Sequence, residues 1–189
     1  MFTGRGERPV NYRYFFVLIT LATAAYFAAD VVQFYPQLPE KVASHFGSNG
    51  QANGWSDKDS FLIVWGSILL VLNLLFGVII LFLDKMPIRW INVPNKEYWF
   101  APERAESTVK MLGKTLVLLT AATDLFLILL FHLVLKANLL PRPVLGPEFW
   151  MIFGIYFIGM IGVSLYTLTY FGRLPGDEQN TRWPKTGRS

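Results

Sequence analysis

The run Phe61–Leu83, FLIVWGSILLVLNLLFGVIILFL, decides the fold, because its 23 residues contain no Asp, Glu, Lys or Arg. A helix crossing a hydrocarbon layer of roughly 30 Å needs about 20 residues, so the run is long enough to span once. Three further runs are also apolar and long enough, the first two with a single Asp each: Tyr14–Val32, Thr115–Leu135 and Phe149–Phe171, of 19, 21 and 23 residues. The whole chain follows suit. Of its 189 residues, 53% are hydrophobic and only 16% charged, against about 25% charged in soluble domains. Ten-residue segments of alternating polarity, the mark of a membrane β-barrel, are missing. The expected fold is an all-α integral membrane protein, a four-helix transmembrane bundle with spans 14–32, 61–83, 115–135 and 149–171.

Charge placement orients the spans. Of the 17 Lys and Arg, 13 fall in the N-terminal tail (1–13), the loop 84–114 and the C-terminal tail (172–189), and 4 in the other two connections. Since cytoplasmic loops retain positive charge, both termini are expected in the cytoplasm, with 33–60 an outward loop and 84–114 an inward one. The membrane domain is then 14–171. This asymmetry accounts for the net charge of +4, and no helix-turn-helix, aromatic-basic sheet or zinc-finger spacing points to nucleic acid. The basic surface suits anionic lipid headgroups instead. Arg5, Arg8 and Arg13 before the first span, with Ala22-Thr23-Ala24 inside it, resemble a cleavable signal. The apolar run continues past that triplet to a full span, so a retained helix is expected. With no cysteine, disulfides and thiol chemistry are excluded.

The outward loop contains LPEKVASHFGSNGQANGWSDKDSF, residues 38–61. Pro36 and Pro39 hold its start extended. Gly47, Gly50 and Gly54 with Asn49 and Asn53 favour tight turns, so a compact loop is expected. Ser56, Asp57 or Asp59 can cap the second helix. In the inward loop, Pro102 followed by Glu103 and Glu106 predicts a helix from about Pro102 to Lys136. Trp90, Trp99, Tyr12, Tyr14, Tyr166 and Tyr170 fall near the inner interface and Trp150 near the outer, as an aromatic belt. Ala22, Ala25, Ala29, Gly159 and Gly162 are expected to permit close helix approach.

Two segments resemble a known family. Leu38, Pro39, Val42, His45, Phe46, Gly50, Gly54, Trp55 and Lys58 match the signature of a bacterial membrane domain of unknown function. That domain is best known from the N-terminal membrane region of SdpI-type toxin-immunity proteins. Asn92, Pro94, Asn95, Lys96, Tyr98, Trp99, Pro102, Glu103 and Arg104 match its second segment. The resemblance covers roughly Tyr14 to Leu135. It departs at Ala43, where many members have proline, and at Asn53, where many have Asp; the long second membrane module of such proteins has no counterpart. The resemblance implies a bacterial plasma-membrane location and recognition of a peptide, protein or lipid partner. The implied binding residues are His45, Phe46, Gly50, Trp55 and Lys58 outside, with Asn92, Asn95, Glu103 and Arg104 inside.

The residues themselves leave three chemical readings open. His45 and His132 lie on the same side in this topology, with Asp30, Asp57 and Asp59, so a two-histidine, one-carboxylate metal site is geometrically possible. No paired-histidine motif accompanies them, and His45 equally serves as a lock on its own loop. Asp124 falls at mid-span, where an acid costs roughly 2.5–3.5 kcal/mol on insertion scales; such a residue is either functional or a polar tie between helices. Asn73, Thr20, Thr23 and Thr120 are its candidate partners. Glu103, Arg104 and Glu106 with Asn92 and Asn95 either form an acid–base site or cap and pair at the interface. Serine-histidine-acid order, a phosphate-binding glycine loop and a haem attachment sequence are missing, so hydrolase chemistry is not expected and no cofactor is assigned. The expected partners are the lipid bilayer and a peptide or another membrane protein. The alternatives are an accessory subunit or assembly factor of a larger membrane complex, and an ion-coupled transporter or membrane enzyme.

Overall fold

The computed structural model describes residues 11–174. In chain order its elements are helix α1 (Tyr12–Phe34), strands β1 (Lys41–Phe46) and β2 (Ala52–Asp57), and helices α2 (Lys58–Phe82), α3 (Lys96–Trp99), α4 (Ala105–Ala137) and α5 (Pro147–Gly172). Among the described residues, α1, α2, α4 and α5 are long and apolar enough to cross a membrane. The four-helix bundle is therefore present, each helix overrunning its apolar run by a residue or more at one end or both. The tails before residue 11 and after residue 174, which include the basic residues Arg5 and Arg8, lie outside the described residues.

Helix ends follow local chemistry with two corrections. Asn11 caps α1, its side chain accepting from the Arg13 N–H at 3.2 Å, and Pro147 occupies the first turn of α5, where a missing N–H costs nothing. Asp57 stands at the cap position of α2 but makes no capping bond; its carboxylate pairs with Lys41 at 2.9 Å instead. Asp59 accepts from the Tyr35 hydroxyl at 2.9 Å. The helix expected from Pro102 begins at Ala105, because the Arg104 and Ala105 N–H groups are drawn back to the Ala101 carbonyl in a tight turn.

Polar and aromatic side chains, not the small ones, set the helix faces. The buried residues of α1 are Tyr12, Phe16, Thr23, Asp30 and Phe34, whose spacings of four and seven keep one stripe toward the core. Ala22, Ala25 and Ala29 are exposed on the other face. Gly159 and Gly162 meet open space. Where a small residue does matter is Gly113, at which a Cβ would lie 2.5 Å from the Tyr12 ring. Helix α4 is the hub, packed against α1, α2 and α5. Helix α5 has α4 as its one substantial helical neighbour, and its most apolar stretch has no buried residue.

The loop between α1 and α2 is an antiparallel hairpin, an element beyond the all-helical expectation. Its register pairs Lys41 with Asp57, Val42 with Ser56 and Ala43 with Trp55, then shifts around Ser44 and His45. Val42 and Leu38 drop into a core cluster with Phe61, Phe131 and Leu135 at the end of the bundle. Buried Asn138, just past α4, holds the strand from below: its amide oxygen accepts from the Ala43 N–H at 2.6 Å, and its Nδ2 donates to the Ala43 and Val134 carbonyls. The turn is tied to the α4–α5 connection. Gly50, at φ +76°, lets the Leu145 N–H reach its carbonyl at 2.9 Å, and a Cβ there would meet the Leu145 carbonyl oxygen at 2.5 Å.

Asn138→Leu strands the N–H and C=O of Ala43, each costing about 1–3 kcal/mol when buried without a partner. The variant is expected to lose its hairpin to limited proteolysis while the helical circular dichroism persists. A hairpin as resistant as in the unaltered chain would show that Asn138 is not its anchor.

Candidate functional site

At mid-depth, three helices meet through one hydrogen-bonded cluster. Asp124 of α4 is 2% exposed. Its Oδ2 accepts from the Thr23 hydroxyl of α1 at 3.0 Å, and its Oδ1 from Nδ2 of Asn73 in α2 at 3.0 Å. Asn73 donates also to the Leu69 carbonyl, while its own oxygen accepts from Thr20 at 2.8 Å. Thr120 is spent on its own helix, donating to the Leu116 carbonyl. Three of the four candidate partners of Asp124 thus converge, two directly and one through Asn73. Among the described residues no Lys, Arg or His pairs with Asp124. The cluster is a set of donors closed on one acid, with each of these bonds internal to the bundle.

A second buried acid lies about seven residues further along α1. Asp30 presents both carboxylate oxygens to Nδ1 of His132 at 3.1 Å. Phe34 meets the imidazole edge-on and Tyr26 lies 6.4 Å away, centroid to centroid. Next to this pair sits an aromatic plug: fully buried Phe131, one residue before His132 on α4, packs against Phe27, Trp65 and Phe61 with centroids 4.7, 5.4 and 6.0 Å apart. No hydrogen bond among the described residues joins the pair to the Asp124 cluster. The two polar layers tie helices together at separate depths and do not form a continuous path.

His45 stands apart from His132. Its Nδ1 lies 2.6 Å from Oδ1 of Asn53 across the hairpin, and Gly54 gives the ring room, since a Cβ there would come within 3.0 Å of the His45 Cβ. No group of three His, Asp or Glu able to hold a metal occurs among the described residues. Each histidine has a separate partner, His45 with Asn53 of β2 and His132 with Asp30 of α1, and the shared site permitted by topology does not assemble among the described residues.

The outward candidates do gather on the hairpin, in unequal roles. Trp55 is 57% exposed, flanked along β2 by exposed Asn53 and Asp57. Lys41 donates to Asp57 and holds that carboxyl below its usual range by hydrogen bond and charge. The pair therefore persists above the ordinary carboxylate range and is lost as pH falls through the lowered value. Lys58 binds Glu40 at 2.8 Å and lies over the Tyr35 ring at 4.8 Å, closing the hairpin base. Phe46 packs against the core and Gly50 is buried. The presented surface is Trp55 with His45, Asn53 and the Lys41–Asp57 pair; Lys41 and Asn53 join it only once the strand register is known.

The inward candidates assemble at the opposite end of the bundle, about 37 Å away along the 25 residues of α2. Asn95, in the left-handed conformation at φ 52°, donates through Nδ2 to the Phe171 and Gly172 carbonyls. Trp99 Nε1 donates to the same Phe171 carbonyl at 2.9 Å. These bonds satisfy the open end of α5. Arg104 donates to the Tyr98 carbonyl and lies 3.9 Å over its ring; Glu103 and Asn92 are exposed. Glu106 and Asp84 line one cavity beside Tyr12, but each is taken up in an ion pair, Glu106 with Lys110 one turn on and Asp84 with Arg13.

A family model described as a domain of unknown function, DUF1648, matches residues 16–71. The matched stretch runs from α1 through the whole hairpin into α2, and it ends before Asn73, Asp124 and the inward segment. Neither a curated protein nor a solved structure matches the chain.

If the Asp124 cluster is a clasp, its geometry tolerates an amide. In Asp124→Asn the remaining oxygen still accepts from Asn73, while the new Nδ2 donates to a Thr23 hydroxyl that turns from donor to acceptor. Asp124→Leu orphans both donors. Thermal unfolding in detergent is expected to place the Asn variant beside the unaltered chain and the Leu variant about 1–2 kcal/mol lower. A Leu variant of undiminished stability would remove the clasp.

Proposed function

We propose that the chain is a small multi-pass protein of the bacterial plasma membrane, with both termini cytoplasmic, that recognises a peptide, protein or lipid partner through the hairpin. The observation that carries this reading is exposed Trp55 on a hairpin held rigid from two sides, by Asn138 and by the Gly50–Leu145 bond. Anchoring of this kind lowers the ordering cost of binding, and a large aromatic is the usual source of contact energy. The match over residues 16–71 centres on the same hairpin. The likeness to SdpI-type proteins makes immunity or sensing the role we assign. Catalysis gains no support from the arrangement of acids and histidines, and two polar layers with no hydrogen bond joining them argue against ion transport along them.

A second reading rests on α5. A helix with one substantial neighbour and no buried residue in its apolar stretch has a face free for another membrane helix, which fits an accessory subunit. Purification of a tagged chain in mild detergent separates the two: a stoichiometric companion favours the subunit.

Orientation is tested in this cysteine-free chain by single cysteines at Ser48 and Ser107, both exposed. An impermeant maleimide added to intact cells is expected to label only Ser48→Cys; labelling of Ser107→Cys overturns the topology. For recognition, Trp55→Ala and His45→Ala are expected to weaken partner response at least about tenfold, as loss of a central aromatic does, while Gln51→Ala leaves it unchanged. Equal behaviour of all three variants would reduce the hairpin to a connector.

A further inference from the structure

The end of the bundle opposite the hairpin holds a cavity of about 540 Å³ between α2, α4 and α5. It exists because α5 leans on α4 alone, leaving a wedge beside α2 that the segment 86–93 covers. The walls are hydrocarbon: Ile79 and Leu83 on one side, Leu116 and Leu119 behind, Val163 and Leu168 opposite. Its three hydroxyl residues offer no donor to a guest. Thr115, Ser164 and Thr167 each give their proton to a carbonyl of their own helix, at 3.1, 2.8 and 2.8 Å. An occupant of the chamber must itself be apolar.

The cover has the opposite character. Trp90, 66% exposed, and exposed Asn92 form the edge of the cavity. Lys85 and Arg89 lie in or beside the same segment, and Lys114 adjoins Thr115 on α4. None of these three cations has a carboxylate partner among the described residues, and nearby Asp84 is taken by Arg13 at 2.6 Å. An apolar chamber edged by an indole and an amide, with cations free of carboxylates in and beside the covering segment, offers the chemistry that suits an acyl chain, a glycerol-ester region and an anionic phosphate. Basic pockets between membrane helices take such headgroups.

We propose that this cavity is a binding site for one anionic phospholipid, with an acyl chain between α2 and α5 and its phosphate held by Lys85 and Arg89. The site is independent of the hairpin and of any partner there. It makes segment 86–93 a lipid-dependent cover.

The test is thermal unfolding of the full chain in a neutral detergent with added dioleoyl phosphatidylglycerol or dioleoyl phosphatidylcholine. Phosphatidylglycerol is expected to raise the midpoint by about 2–4 °C or more beyond phosphatidylcholine. The double variant Lys85→Gln with Arg89→Gln is expected to erase that difference. Ser164→Phe and Thr167→Phe, which fill the chamber from its α5 wall, are expected to erase the shift, while Ile158→Phe, on an exposed part of α5 outside the cavity, keeps it. Equal shifts from the two lipids in the unaltered chain overturn the proposal, as does a phosphatidylglycerol preference that survives either the charge variant or a folded chamber-filling variant. Should neither filling variant unfold cooperatively, the charge variant, whose side chains are exposed, decides alone.

Discussion

The bundle depends on the burial of Asp124. A carboxyl at the middle of a membrane helix is costly unless donors reach it, and Thr23 and Asn73 supply them from two other helices. That requirement fixes which faces of α1, α2 and α4 look inward, and so sets the rotation of all three. The aromatic plug and the Asp30–His132 pair follow on the same stripes. Helix α5, which brings no side chain to the cluster, is the one left leaning on a single neighbour.

The two ends of the bundle solve different problems. At one, a chain of 23 residues between α1 and α2 leaves the membrane and must satisfy its backbone; a hairpin ladder does so, and Asn138 with Leu145 ties it down. At the other, α5 ends with open carbonyls, which Asn95 and Trp99 satisfy from the loop before α4. The motif residues at this end are thereby explained as helix closure, whereas at the hairpin end Trp55 remains presented outward with no internal task. Exposure without an internal role is what separates a recognition candidate from a structural residue here.

The number of the spans, and Thr23 and Asn73 among the candidate partners of Asp124, were legible in the sequence, because hydropathy and the cost of a buried acid act on single residues in known order. Turn chemistry marked the outward loop as compact for the same reason: Gly50 and Asn49 state their preferences locally. The small residues misled, since Ala22, Ala25 and Ala29 permit approach without compelling it, while Thr23 and Asp30 on the same helix compel it.

Tertiary structure alone decided what depends on two distant segments meeting. The strand register that sets Lys41 against Asp57, the grip of Asn138 on Ala43 across 95 positions, the separate partners of the two histidines, and the wedge between α2 and α5 are all of this kind. Local sequence carries the propensity to turn, cap or span, but a hydrogen bond between residues far apart in the chain is settled only when packing brings the donor within about 3 Å of its acceptor.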